Sequence, residues 1–185
     1  LSIGLNISNI GSKISYTETG RKDFIPINLR FGPALNLKLN EYNELAFVVD
    51  INKLLVPTPP IYSDSLSNGE QQILYGNSPD VSVAQGIFQS FGDAPNGTKE
   101  ELQEINIAGG LEYWYDRQFA FRAGYFFEHE NKGNRKYFTL GAGLKYNVFG
   151  LDFAYLIPTD QRNPLENTLR FSITFDFNRS DNDEE

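Results

Sequence analysis

The chain has 185 residues with no cysteine and no methionine, and its 24 acidic against 16 basic residues give a net charge of -8. That balance argues against a nucleic-acid binder, which needs a basic footprint, and the missing thiols exclude disulfide frameworks and thiolate metal sites. No stretch approaches the length of apolar residues that a transmembrane helix requires. The mean hydropathy of -0.40 still leaves room for strands that are apolar on one face only.

In chain order, the dominant signal is alternation of apolar and polar residues, the period of a β-strand with one buried or lipid-facing side. Leu1, Ile3, Leu5 and Ile7 alternate with Ser2, Gly4, Asn6 and Ser8. After a link at Thr17–Pro26, Leu29, Phe31, Leu35, Leu37 and Leu39 alternate with Arg30, Gly32, Asn36 and Lys38, and Pro33 marks a bulge or kink. A tight turn at Asn40–Asn43 leads to Leu45, Phe47, Val49 and Ile51, set against Ala46, Val48, Asp50 and Asn52.

The link Val56–Gln103 comes next. Loops beyond about 12–15 residues are functional or disordered. This one opens with the rigid run Val56-Pro57-Thr58-Pro59-Pro60. A short helix is predicted from Ser78, with Pro79 at its first position. Val83, Ile87, Phe88 and Phe91 then share one apolar stripe. Thr98 and Glu101 have capping-box spacing for a second helical turn, and Glu100 and Glu101 read as favourable charges at its N-terminus.

Five further strands follow. Ile105, Ile107, Leu111, Tyr113 and Tyr115 oppose Asn106, Ala108, Gly110 and Glu112, and a tight turn at Asp116–Arg117 ends the run. Phe119, Phe121, Ala123, Tyr125 and Phe127 oppose Ala120, Arg122, Gly124 and Glu128, followed by the link Asn131–Arg135. Phe138, Leu140, Ala142, Leu144 and Tyr146 oppose Thr139, Gly141, Gly143 and Lys145, closed by a turn at Asn147–Val148. Leu151, Phe153, Tyr155 and Ile157 oppose Asp152 and Ala154 before the link Pro158–Glu166. The last run, Asn167 to Phe177, carries Leu169, Phe171, Ile173, Phe175 and Phe177 on one face and Arg170, Ser172, Thr174 and Asp176 on the other.

Short turns and long links alternate strictly, which places all turns at one end of the sheet and all long links at the other. Outer-membrane barrels have this asymmetry, with short periplasmic turns and long extracellular loops. A soluble lipocalin-like barrel also alternates, but it must fill its interior with the apolar face, and here that face is crowded with Phe and Tyr. The polar face mixes both signs of charge with Gly and Ala, as a lumen crossed by charge pairs would. Tyr113, Trp114 and Tyr115 beside one turn, with Tyr146 and Phe149 around another, suggest an interfacial girdle. The predicted fold is therefore all-β, a transmembrane antiparallel up-and-down β-barrel portion over residues 1–178, with a long extracellular loop at 56–103 and an acidic periplasmic tail at 179–185. The absence of an initiating Met and of a signal peptide points to a processed or partial chain.

Nothing in the sequence predicts catalysis or a cofactor. His129, between Glu128 and Glu130, reads as a loop-edge residue rather than a metal ligand. The glycine pairs around Ala108-Gly109-Gly110 and Gly141-Ala142-Gly143 lack a phosphate-loop lysine and lie within strands, where small residues make room for a plug or a neighbouring side chain.

Several segments carry a family resemblance. They are Asn9-Ile10-Gly11 with Ile14-Ser15-Tyr16, Phe24-Ile25-Pro26, the run Asp50-Ile51-Asn52-Lys53-Leu54-Leu55-Val56-Pro57-Thr58-Pro59-Pro60, and Ser90-Phe91-Gly92-Asp93-Ala94-Pro95 leading into Glu100-Glu101-Leu102. Together they resemble the PorV (LptO) family of type IX secretion in Bacteroidetes, outer-membrane barrels related to the FadL fatty-acid transporters. The resemblance implies a fourteen-stranded barrel of which this chain supplies the last eight strands. It also implies a non-enzymatic shuttle that takes the C-terminal signal domain of secreted cargo from the giant translocon barrel SprA (Sov) to the attachment complex containing PorU. The expected partner-binding residues are Leu54, Leu55, Val56, Pro57, Pro59 and Pro60 together with the stripe Val83, Ile87, Phe88 and Phe91. FadL-type transport of hydrophobic small molecules, a diffusion porin and a purely structural barrel remain the alternatives.

Overall fold

The computed structural model describes residues 1–15, 20, 22–67, 70–159 and 168–177. The acidic tail 179–185, Tyr16 and most of the link 158–166 lie outside the described residues. The strands are β1 (Ser2–Ser8), β2 (Asn28–Lys38), β3 (Asn43–Leu54), β4 (Ile61–Ser67), β5 (Glu70–Tyr75), β6 (Ile105–Tyr115), β7 (Phe119–Phe127), β8 (Lys136–Tyr146), β9 (Phe149–Pro158) and β10 (Leu169–Phe175). Two short helices, α1 (Val83–Gln89) and α2 (Thr98–Gln103), precede β6, and a 3₁₀ turn at Glu130–Lys132 links β7 to β8.

Eight strands form one antiparallel sheet in the order β1-β2-β3-β6-β7-β8-β9-β10. Each expected strand is present, and neighbours in sequence are neighbours in space except where the long segment 55–104 intervenes. The sheet does not close on itself, since β1 and β10 each have one hydrogen-bonded neighbour. Pro33 produces no register shift: Phe31 pairs with Ile51 and Ala34 with Val48 on the same count, and only the two pairs between are lost. A residue without an N–H interrupts a ladder without displacing it.

The three tight turns have local causes. The Asn40 side chain accepts from the backbone N–H of Tyr42 and Asn43 at 3.0 and 2.9 Å, an Asx turn. Asp116 and Arg117 both have φ of 51°, as does Asn147, the left-handed geometry that hairpin turns demand. Backbone bonds from Asp116 to Tyr42, from Lys145 to Gln118 and from Asp176 to Val148, at 2.6–2.8 Å, tie this end of the sheet together.

The pleat separates two chemistries. One face carries Ile3, Phe31, Phe47, Ile107, Phe121, Leu140, Phe153 and Phe171, all exposed. The other holds charges and small residues and forms a recess of about 430 Å³ around Val48, Ala108, Gly110, Gly124, Phe126 and Tyr137. On that face Arg122 donates through Nε to Glu112 and through Nη1 to Asp152 at 2.5 Å. Gly141 and Gly143 make this possible. An added Cβ at Gly143 would sit 2.6 Å from Asp152 Oδ1 and 3.0 Å from Arg122 Nη1, so the arginine lies across β8 only because β8 is bare there. These charges pair along one face of the sheet, Arg122 on β7 with Glu112 on the adjacent β6 and, across β8, with Asp152 on β9. Trp114 corrects a second expectation. Its indole donates to Glu112 at 2.7 Å and lies under the Arg122 guanidinium, so it belongs to the charged face, opposite Tyr113 and Tyr115.

Candidate functional site

The rim opposite the tight turns is built by segment 55–104, and it differs from the expected loop. It contains a two-stranded hairpin, β4–β5, whose register shifts twice. The first helix begins at Val83, not at Ser78. Ser82 is its N-cap and accepts from the Gln85 N–H at 3.2 Å, whereas Ser78 accepts from Asp80 in a separate turn. The capping box is also overturned. Gly97 caps α2 with φ of 67° and no side-chain bond. The Glu101 carboxylate is engaged instead by the Ala94 N–H at 2.8 Å and by Lys53 at 3.0 Å.

The predicted stripe divides in two. Val83 and Ile87 are half-buried, and Gly86 between them packs so closely on Phe24 and Pro57 that a Cβ would meet the Phe24 ring at 2.6 Å. Phe88 and Phe91 point away, 79% and 53% exposed. An i to i+5 offset turns a helical side chain by about 140°, which removes Phe88 from the Val83 face. The proline run divides as well. Leu55 is 1% exposed and pairs its N–H with the Ile27 carbonyl at 2.7 Å. Pro57 and Pro60 are buried, Leu54 and Pro59 are exposed, and Val56 is intermediate.

Leu54, Val56, Pro57 and Pro59 meet in a recess of about 500 Å³ at the rim. Pro26 joins them, and the other walls are Asn28, Thr58, Glu104, Asn106, Glu128, Lys132 and Arg135, polar residues that sequence periodicity did not connect to the proline run. Their linkage is electrostatic. Lys53, at the end of β3 and only 8% exposed, donates to Glu101 and to Glu104 at 3.0 and 2.9 Å. Lys132 donates to Glu104 at 2.9 Å and to Glu100 at 2.6 Å. The Thr58 hydroxyl completes Glu104 at 2.7 Å. One chain of charges therefore seats α2 and the proline run on β3 and on the β7–β8 link. Arg135 grips the buried Glu128 carboxylate with Nε and Nη2, both at 2.7 Å. His129 caps the 3₁₀ turn, its Nδ1 accepting from Asn131 at 3.2 Å.

Burial opposes ionisation of Glu104 most strongly, yet the bonds from Thr58, Lys53 and Lys132 outweigh it, and its pKa lies below the ordinary 4.5. Glu128 behaves likewise because of Arg135. Glu100 is lowered chiefly by Lys132, and Lys132 is raised because its carboxylates outweigh its burial. Asp93 is the exception. It is 2% exposed, and burial pushes its pKa up despite bonds from Gln89 and from the Thr58 N–H. Among the described residues, no group of three or more His, Asp or Glu side chains is placed to hold a metal ion.

Residues 1–61 match the model of the family described as Type IX secretion system protein PorV. That stretch covers β1 to β3, the link before β2 and the whole proline run. A search of curated proteins finds no match. The match supports a role in type IX secretion and likens this chain to an outer-membrane family. No helix among the described residues is long and apolar enough to cross a membrane, a fact that says nothing of a β-barrel.

Proposed function

We propose that this chain forms part of the wall of an outer-membrane β-barrel that serves type IX secretion as a non-enzymatic shuttle. The barrel receives the C-terminal signal domain of secreted cargo at the giant translocon barrel and delivers it to the cell-surface attachment complex. The observation that carries this reading is the PorV family match over residues 1–61, which ends on the proline run that lines the rim recess. The exposed apolar face supports it: a water-soluble sheet would cover residues such as Phe121 and Phe171, whereas in a barrel wall they meet lipid. The open edges at β1 and β10 find partners when the wall is completed by further strands, because lipid tolerates no unpaired sheet edge.

Affinity purification of the full-length protein from native outer membranes in mild detergent, with mass spectrometry of what accompanies it, tests the reading. Recovery of a very large barrel, or of secreted proteins sharing a C-terminal domain, is the expected result. Recovery of the barrel alone with bound fatty acid would refute the shuttle and favour FadL-type transport. One observation supports that second reading: Val48, Phe126 and Tyr137 place apolar surface around the recess on the charged face, with Phe126 and Tyr137 stacked at 5.0 Å.

A further inference from the structure

We infer that the rim recess binds a short, uncharged, extended peptide segment of the shuttle's partner, an inference that rests on the shuttle reading and specifies its subsite. The recess is two-sided. Pro26, Leu54, Val56, Pro57 and Pro59 supply an apolar wall, and its prolines have no N–H to offer. The facing wall carries amides and paired charges, and behind it the buried Asn106 Oδ1 has no hydrogen-bond partner among the described residues. A ligand for such a cleft presents apolar groups on one side and N–H groups on the other. An extended peptide does so because its side chains stand off the faces of the backbone while its N–H and C=O groups lie along the edges, so that one face can meet the prolines and one edge the polar wall.

The charges argue for neutrality. Lys132 is held by Glu100 and Glu104, and Arg135 by Glu128. The charged groups on the recess wall, Glu104 and Glu128 against Lys132 and Arg135, therefore balance, so a charged ligand would lose hydration without meeting a net opposite charge. A pure hydrocarbon would leave the amide wall unmet. At about 500 Å³ the recess has the size of a small-ligand pocket, room for a few residues and not for a folded domain.

The 185 residues hold no cysteine, and any cysteine elsewhere in the full-length protein is first replaced by Ser so that each label is single. The full-length protein in detergent micelles would carry an environment-sensitive fluorophore at Pro59→Cys, with Leu54→Cys as a second recess probe, Phe88→Cys as a rim probe outside it and Leu140→Cys reporting partition into the micelle. The probes are the blocked peptides Ac-Gly-Val-Leu-Val-Gly-NH2 and Ac-Gly-Asp-Lys-Asp-Gly-NH2, and a purified cargo C-terminal domain. The expected result is saturable response of both recess labels to the uncharged peptide, about tenfold weaker response to the charged one, and no matching response at Phe88 or Leu140. Equal response to both peptides, or response at Leu140 equal to that at Pro59, overturns the inference. A cargo domain that moves the Phe88 label while no ligand moves the recess labels overturns the subsite and leaves the shuttle standing. Silence of every rim label toward the cargo domain overturns both.

Discussion

Replacing Lys53 by Met tests whether charge seats the rim segment. Lys53 has side-chain exposure of 9%, and its two carboxylate partners have 12% each. Among the described residues, the substitution removes the only cation on Glu101 and leaves it with the Ala94 N–H, while Glu104 keeps Lys132 and Thr58. Breaking a fully buried pair costs about 3–5 kcal/mol through the charge left behind. Glu104 remains partnered, so the expected loss is smaller, about 2–3 kcal/mol, and local to the segment. Each 1.4 kcal/mol is a factor of ten, which predicts amide exchange at Thr58 and Ala94 faster by about thirty- to a hundredfold. Amides of β6 and β7 near Glu112 and Arg122 should keep their rates. Adding Glu101→Gln to Lys53→Met should recover part of the protection, because the stranded charge is gone. Unchanged exchange at Thr58 and Ala94, or equal acceleration in the wall, would refute the electrostatic seat.

Three further outcomes are expected. Gly143→Val should destabilise the wall by about 2 kcal/mol by forcing Arg122 and Asp152 apart, whereas Gly109→Ala, which meets nothing within 4 Å, should leave the gel-shift unfolding temperature unchanged. Leu140→Arg, in the middle of the exposed face, should abolish membrane assembly, since a charge there costs about 2–4 kcal/mol at the bilayer midplane; normal assembly would refute the lipid-facing assignment. The rim should also have a stability optimum in pH, read from exchange at Thr58. Glu100, Glu104 and Glu128 have depressed pKa values, so their contribution is present above the ordinary 4.5 and is lost as pH falls below it. Asp93 is raised, so its contribution is lost as pH climbs from the ordinary 3.8 through its higher folded value. Asp93→Asn should flatten the alkaline arm alone.

The wall was legible because its strands repeat a single constraint. A half-exposed strand must alternate, and eight runs did so with turn residues between them. The hairpin β4–β5 obeys no such rule. Its strands read Ile61-Tyr62-Ser63-Asp64-Ser65-Leu66-Ser67 and Glu70-Gln71-Gln72-Ile73-Leu74-Tyr75, and their shifting register leaves no period to detect. The capping box misled for a different reason. Thr98 and Glu101 have the right spacing, but the Glu101 carboxylate is taken by Lys53 and the Ala94 N–H instead of its own helix N-terminus, and Gly97 takes the cap position.

The candidate site was half legible in the same sense. The proline run announced itself by composition, but its partners are Asn28 at the start of β2, Asn106 at the start of β6 and the pair Glu128–Arg135 beyond β7, brought together only by strand order. Lys53 shows why periodicity could not find them. Across from Leu29 and Ile105 it occupies an apolar register position, where a strand pattern predicts a hydrophobe. Lysine is tolerated there because α2 and its C-cap bring two carboxylates to it, and the lysine in turn, with Lys132 and Thr58, holds α2 in place. The lysine that breaks the alternation near the end of β3 is thus a residue that attaches the long segment to the sheet, so this departure from the strand pattern marks where the sheet ends and the rim recess begins.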